Sequence, residues 1–242
     1  MKKIIKTLIL ILLFKSTINY GQTKPIGEEP LSLDEFNFDT KITLLYPDKY
    51  LEKNSNDTYT VNEDKNDWVT FRKDSTFIDN YSDNERAIGI EYHQTSWTNI
   101  NQLALFVNQS FQKINTATTL NGKIKVINPV ATDISKEQSE DILRALVNKY
   151  GKYEKLKNKW NEKYDMYQWI YKDRIIRYVI QYDDEKNTIK MTVDQDKNTI
   201  EKGKKEHHYI GYIFIINRVL KDEVLGKMRT GDFVYLDNKN KL

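Results

Sequence analysis

Met166 to Tyr182 reads MYQWIYKDRIIRYVIQY, and this stretch decides the fold. Tyr167, Trp169 and Tyr171 recur at every second position, which places three aromatic rings on one face of an extended chain. Lys172-Asp173 supplies a polar turn. Ile176, Tyr178, Ile180 and Tyr182 then resume the period of two over Arg174 to Tyr182. Two alternating runs joined by two polar residues predict a β-hairpin.

Toward the C-terminus the pattern stays β. Asp183 to Asn187 is a polar turn, and Thr188 to Asp194 alternates with Ile189, Met191 and Val193 inward. Gln195 to Glu206 reads as a polar connector. His208 to Ile216 is almost continuously apolar, as in a strand buried on both faces. Asn217 to Met228 reads as a short helix and Phe233 to Leu236 as a last strand.

Toward the N-terminus, Lys152 to Asp165 is charged around Leu156 and Trp160 and is read as either a helix continuation or a long loop. Ser135 with Gln138 forms a capping box. Ile142, Leu143, Leu146, Val147 and Tyr150 share one helical face, and Gly151 sits at a left-handed C-cap, so Ser135 to Tyr150 is a helix. Lys123 to Ile127 reads as a strand that stops before Pro129. Thr98 to Lys113 carries Ile100, Leu103, Ala104, Val107 and Phe111 at helical spacing, with Thr98 as N-cap. In Arg86 to His93, Ile88, Ile90 and Tyr92 alternate with Gly89, Glu91 and His93, as in a half-buried strand. Trp68 to Phe71 and Thr76 to Ile78 are short strands. Asn54 to Asn66 is polar and turn-rich. Asp39 is expected to cap a short helix with Ile42, Leu44 and Leu45 that ends before Pro47, after a strand through Phe36 and Phe38.

Strands joined by polar turns, with segregated helices, predict an α+β fold with a mainly antiparallel sheet and two or three helices. A faint duplication of a helix-plus-three-strand unit is visible at an offset of 101: Trp68 matches Trp169, Phe77 matches Tyr178, and Ile88, Ile90 and Tyr92 match Ile189, Met191 and Val193. Alternating strands also produce such matches by chance. The expected organisation is a signal peptide over 1–21, a flexible lead-in over 22–33 (with Pro25, Gly27 and Pro30), and an α+β region over 34–242, with halves at 34–130 and 131–242 if the repeat is real.

The chain has 242 residues, 39% hydrophobic and 30% charged, with four prolines and no cysteine. That suits one medium domain or two small ones. It excludes a disulfide scaffold, a zinc–cysteine or iron–sulfur site, a thiol enzyme, collagen and a polytopic membrane protein.

Lys2, Lys3 and Lys6 precede a largely apolar run from Ile4 to Phe14, and Lys15 to Thr23 is polar or small. This is the layout of a secretory signal peptide; a spanning helix needs about 20 apolar residues. Cleavage after Gly21 would expose Gln22. The leader holds four of the 38 basic residues and none of the 35 acidic ones, so the remainder carries 34 basic against 35 acidic groups. A near-neutral chain with only seven arginines has no general attraction for nucleic acid or anionic membrane. The Lys/Ile/Asn/Tyr-rich composition and a leader ending in a small residue before Gln resemble exported proteins of Bacteroidetes-type Gram-negative bacteria. That resemblance covers leader and composition only, and implies a periplasmic or secreted address.

No catalytic, cofactor-binding or metal-binding residue is assigned, and no cofactor is expected. His207 and His208 are adjacent and point to opposite faces of a strand, and no HExxH spacing occurs. His93 or His208 could form a metal or general-base site with a carboxylate, or simply be polar strand-end residues. Asp194-x-Asp196-x-Asn198 begins like a calcium loop, then fails at Thr199 and Lys205, with Glu206 one position late. Asn62-x-Asp64-x-Asn66 fails likewise at Asp67 and Lys73. GxSxG, GxGxxG and GxxxxGK[ST] are all missing.

The leading expectation is an exported, non-catalytic binding or interaction module of the cell envelope. Its partner would be a protein, peptide or glycan, with no nucleic acid and no transmembrane segment once the leader is cleaved. An exposed aromatic strip at Tyr167, Trp169 and Tyr171 could serve binding, or the same rings could be core. The alternative is a periplasmic or secreted hydrolase using His93 or His208 with Glu91 or Asp194, which requires those groups to converge in one pocket. A third reading is an assembly factor with a long uncapped edge strand.

Overall fold

The computed structural model describes residues 24–62, 68–77, 86–96, 102–157, 164–185, 191–194, 199–202 and 207–236. The leader and the centres of both calcium-like loops (63–67 and 195–198) lie outside the described residues. In chain order the strands are β1 (Leu31–Ser32), β2 (Thr58–Val61), β3 (Val69–Phe77), β4 (Ala87–Gln94), β5 (Ala104–Phe106), β6 (Gln109–Phe111), β7 (Lys113–Thr118), β8 (Ile124–Ile134), β9 (Glu154–Leu156), β10 (Tyr164–Ile170), β11 (Arg174–Asp183), β12 (Met191–Asp194), β13 (Thr199–Lys202) and β14 (His208–Asn217). The helices are α1 (Ile42–Leu45), α2 (Lys136–Tyr150) and α3 (Lys221–Val224). Nine strands form one sheet in the order β2-β3-β4-β7-β8-β14-β11-β10-β9, and every neighbouring pair is antiparallel. The fold is α+β and mostly antiparallel sheet. No described helix is long and apolar enough to cross a membrane.

The 166–182 hairpin forms as its alternation demands. Ile170 pairs with Ile175, and the Tyr171 N–H donates to the Arg174 carbonyl at 2.8 Å. β11 then pairs with β14 over ten residues, from Arg174 opposite Asn217 to Asp183 opposite His208. Both faces of this hairpin are buried. Tyr167, Trp169, Ile176 and Tyr178 pack on one side of the sheet, and Met166, Ile175 and Val179 on the other.

Two layers do the covering. The first holds α2, α1, β1 and the β5–β6 hairpin. Ser135 and Gln138 close a reciprocal capping box on α2, and Gly151 (φ 78°) ends it in the left-handed region. Ile142 and Leu146 enter the core. The second layer is the segment 218–236, whose Val224, Met228, Phe233 and Leu236 pack on the opposite face.

Several expectations are corrected. Residues 102–113 are not helical: β5 and β6 form a hairpin whose two-residue turn, Val107-Asn108, has positive φ at both positions (48° and 61°). Such a turn matches the twist of the strands it joins. Residues 98–101 of that expected helix lie outside the described set. β8 does not stop at Pro129 but runs through it to Ile134. The two short strands around 68–78 are one strand, β3. Phe36 and Phe38 lie in no strand, and Lys41, not Asp39, precedes α1. Gly231–Leu236 is a 3-10 turn rather than a strand. Residues 154–156 are a strand, β9, within the stretch read as helix or loop. The lead-in is packed: Ile26, Leu31 and Leu33 are wholly buried. Of the residues matched at offset 101, Ile90 and Tyr92 lie in β4 of the large sheet but Met191 and Val193 in β12 of a separate two-stranded one, while Phe77 and Tyr178 both lie in the large sheet and Ile189 is outside the described residues. The half-boundary at 130/131 falls inside β8.

Candidate functional site

The sequence places Glu91 on the outward side of β4, but the structure buries it to 1% exposure beneath the C-terminal segment. One Glu91 oxygen, Oε2, lies 2.7 Å from His93 Nε2 and also accepts from the Thr230 hydroxyl; Oε1 has no hydrogen-bond partner. The ring of His93 is roofed. A Cβ on Gly231 would stand 2.9 Å from its Cε1, and Phe233 meets it edge-on at 5.7 Å. A histidine–carboxylate pair can act as a general base only where a substrate proton can approach within hydrogen-bond reach. Here Gly231 and Phe233 cover one side of the ring, and the His93 side chain is 18% exposed.

Lys125, on β8, is wholly buried and donates to the Ile88 carbonyl at 3.3 Å. Burial lowers the pKa of its amine below the ordinary lysine value, and the charges of Glu223 and Glu91 oppose that shift. Gly89 makes room for it: a Cβ there would lie 2.6 Å from Lys125 Nζ and 2.2 Å from the Thr118 carbonyl. Asp232 ties the C-terminal segment to the sheet a second time. It pairs with Lys113 at 2.6 Å and accepts from Asn115 Nδ2 at 2.8 Å; Asn115 Nδ2 also donates to Asn128 at 3.0 Å. These groups form a clasp between two layers.

His208, at the start of β14, takes no part in that clasp. Its nitrogens lie 3.3 Å from Asp133, 3.8 Å from Asp183 and 3.7 Å from Glu185. A cleft of about 460 Å³ opens there, lined also by Ser135, Gln138 and His207. His207, on the same cleft, pairs with the Tyr182 hydroxyl. The structure thus joins Glu91 to His93 and leaves His208 with a different set of acids. The side chain of Asp194 lies outside the described residues. Among the described residues no group of three or more histidines and acids is arranged to hold a metal ion.

The aromatic strip is core. Tyr167 and Trp169 are buried, and Trp169 Nε1 donates to the Gly151 carbonyl at 2.9 Å. Tyr178 is fully buried with its hydroxyl on the Ser139 carbonyl, and burial raises its pKa far above the usual phenol range. Of the three rings in the strip, only Tyr171, in the turn, is exposed. The sheet edges are short. β2 has its outer side bridged by Leu51, with the Glu52 N–H on the Thr58 carbonyl at 2.9 Å, beside a groove of about 720 Å³. β9 has three residues and exposes Glu154 and Lys155.

One end of the sheet is different. The antiparallel order brings the β7–β8 turn, the β10–β11 turn and the exit of β14 to the same end. Leu120, Ile170, Tyr171 and Val219 stand exposed there, Val219 at 87%. Leu44 joins them through α1, whose Ile42 packs against Gly122. Leu105 joins them through Leu33, which binds both the Leu105 carbonyl and the Arg174 guanidinium. Of the seven large hydrophobic residues exposed among those described, only Trp68 lies elsewhere. The sequence signal for this end was apolar residues inside polar turns, Leu120-Asn121-Gly122 and Arg218-Val219.

The turns at this end are tied to one another. The Arg218 N–H donates to the Asp173 carbonyl and its Nη1 to the Tyr171 carbonyl, each at 3.0 Å. Asn217 donates to the Ile124 carbonyl at 3.3 Å and accepts from the Val219 N–H at 3.1 Å. A second cleft of about 460 Å³ opens on this end between Arg86, Ile88, Leu120, Glu223 and Lys227. Compared with protein-family models, with curated proteins and with solved structures, the chain matches none.

Proposed function

We propose that this chain is an exported, non-catalytic binding module of the cell envelope, and that it engages its partner through the turn end of the sheet. The exported address rests on the leader pattern of residues 1–21 and on the resemblance to exported Bacteroidetes-type proteins. The observation that carries the binding reading is the gathering of Leu44, Leu105, Leu120, Ile170, Tyr171 and Val219 at one end. Scattered exposed hydrophobics are ordinary on a protein surface, whereas a gathered set marks an interaction site. The hydrolase alternative has two histidines to draw on: Gly231 and Phe233 cover one side of His93, while His208 lines an open cleft beside Asp133 and Glu185.

A photo-crosslinking amino acid placed at Leu120 or Val219, in cells exporting the protein, tests this reading. Envelope components are expected to crosslink from both positions and not from Lys136, which is exposed at the opposite end. Equal crosslinking from all three positions would overturn it. So would turnover of an envelope glycan or peptide by the purified protein that His93→Ala or His208→Ala abolishes.

A further inference from the structure

The turn end alternates apolar tips with cations, and this pattern identifies the class of surface it fits. Leu120 is followed by exposed Lys123, Ile170 and Tyr171 by Lys172, and Val219 lies between Arg218 and Lys221; all four cations are exposed. The neighbouring cleft adds Arg86 and Lys227. Among the nearby acids, Asp173 is bound by Arg174 at 2.7 Å, Asp34 is bound by Lys149 at 2.6 Å, Glu223 lies inside the cleft, and Asp222 is exposed on α3 beside Lys221. The excess of positive charge is local, because outside the leader the chain carries 34 basic and 35 acidic residues.

We propose that this end of the sheet docks on an anionic lipid bilayer, with Leu120, Ile170, Tyr171 and Val219 seated in the interface and Lys123, Lys172, Arg218 and Lys221 at the level of the lipid phosphates. The inference rests on the binding reading above and names its partner. A protein partner fits this end less well. Protein interfaces gather their apolar residues into a core depleted of charge and set polar groups at the rim. Here the four apolar tips are divided among three turns, each with a cation beside it. A bilayer interface accepts that arrangement, since it takes apolar side chains at shallow depth while long basic side chains reach the headgroups. The ring of Tyr171 suits the same boundary, with an apolar body and a polar tip. The hydrogen bonds of Arg218 and Asn217 hold the three turns in place before docking, so little ordering is required on contact.

Sedimentation with lipid vesicles tests the inference, using residues 22–242. That form keeps every core residue among those described. Vesicles of phosphatidylcholine with about one-third phosphatidylglycerol are expected to bind at least about tenfold more protein than pure phosphatidylcholine, and high salt is expected to reverse the difference. The double variants Leu120→Ser with Val219→Ser and Lys172→Glu with Lys221→Glu should each lower binding by about tenfold or more, while Lys136→Glu leaves it unchanged. No binding, equal binding to both vesicles, or indifference to these variants would overturn the inference. Self-association that Val219→Ser abolishes, without vesicle binding, would overturn it in favour of a contact between copies. If vesicles fail while crosslinks from Leu120 and Val219 persist, the lipid falls and the binding end stands; if both fail, the binding reading falls too.

Discussion

The side-chain amide of Asn128 donates to the Ile213 carbonyl at 2.9 Å, beside Pro129, which has no N–H to offer β14. Tyr212 pairs with Val130 and Ile215 with Ile127, so Ile213 stands opposite the proline. Both residues at the pairing are buried at the centre of the sheet, where an unmet carbonyl costs about 1–3 kcal/mol.

A double-mutant cycle should expose that substitution of donors. Asn128→Ala alone is expected to lower unfolding free energy in urea by about 1–3 kcal/mol. With Pro129→Ala also present, the backbone N–H returns and the cost of Asn128→Ala should shrink by about 1 kcal/mol. Strict additivity would show that the amide does not replace the missing N–H.

Stability should pass through a maximum in the alkaline range. Burial lowers the Lys125 pKa, so over the interval up to about pH 10.4 the unfolded chain binds the extra proton and stability rises with pH. Burial raises the tyrosines, Tyr92 to about 12 and Tyr46, Tyr150, Tyr178 and Tyr212 further. Above about pH 10 the unfolded chain loses those protons first, and stability falls. Urea midpoints across this range should lose their rise in Lys125→Met and about one proton's worth of the fall in Tyr46→Phe. A flat profile in the parent protein would refute the assignment.

Two glycines should respond very differently to alanine. At Gly89 the new methyl meets the Thr118 backbone at 2.2 Å, so Gly89→Ala is expected to cost about 3 kcal/mol or to prevent folding. At Gly151 nothing lies within 4 Å and only the backbone, with φ 78° and ψ −150°, opposes the change. There about 1–3 kcal/mol is expected, without a block to folding. Thermal melts of the two variants decide the order.

The clasp should govern the C-terminal segment alone. Asp232→Ala removes the partner of Lys113 and Asn115. Hydrogen exchange in 224–236 is expected to accelerate about tenfold while α2 keeps its protection. Equal acceleration in both would mean that the segment is not a separate layer.

How much of this was legible follows from where each cause lies. The 166–182 hairpin, the Ser135 cap and Gly151 are local, and their residues signal them directly. The helix expected at 98–113 failed because Leu103, Ala104, Val107 and Phe111 satisfy helical spacing and also fit a hairpin folded at Val107-Asn108. Pro129 misled because its missing donor is supplied by a neighbouring side chain rather than by ending the strand. Glu91 looked outward-facing because its cover, Thr230 and Gly231, comes from the far end of the chain. Leu120 and Val219 go unread in the sequence, Val219 because Asn217 to Met228 reads as one helix, and only the strand order brings the two to one end.

The absence of cysteine makes the most direct test a clean one, because any introduced thiol is the sole labelling site. An environment-sensitive dye on Val219→Cys or Leu120→Cys, compared with Trp68→Cys at the other end, reads which end meets the envelope. On addition of isolated envelope membranes a blue shift and loss of quencher access are expected at 219 and 120, with no change at 68. Equal response at all three positions, or a response at 68 alone, would contradict binding through the turn end.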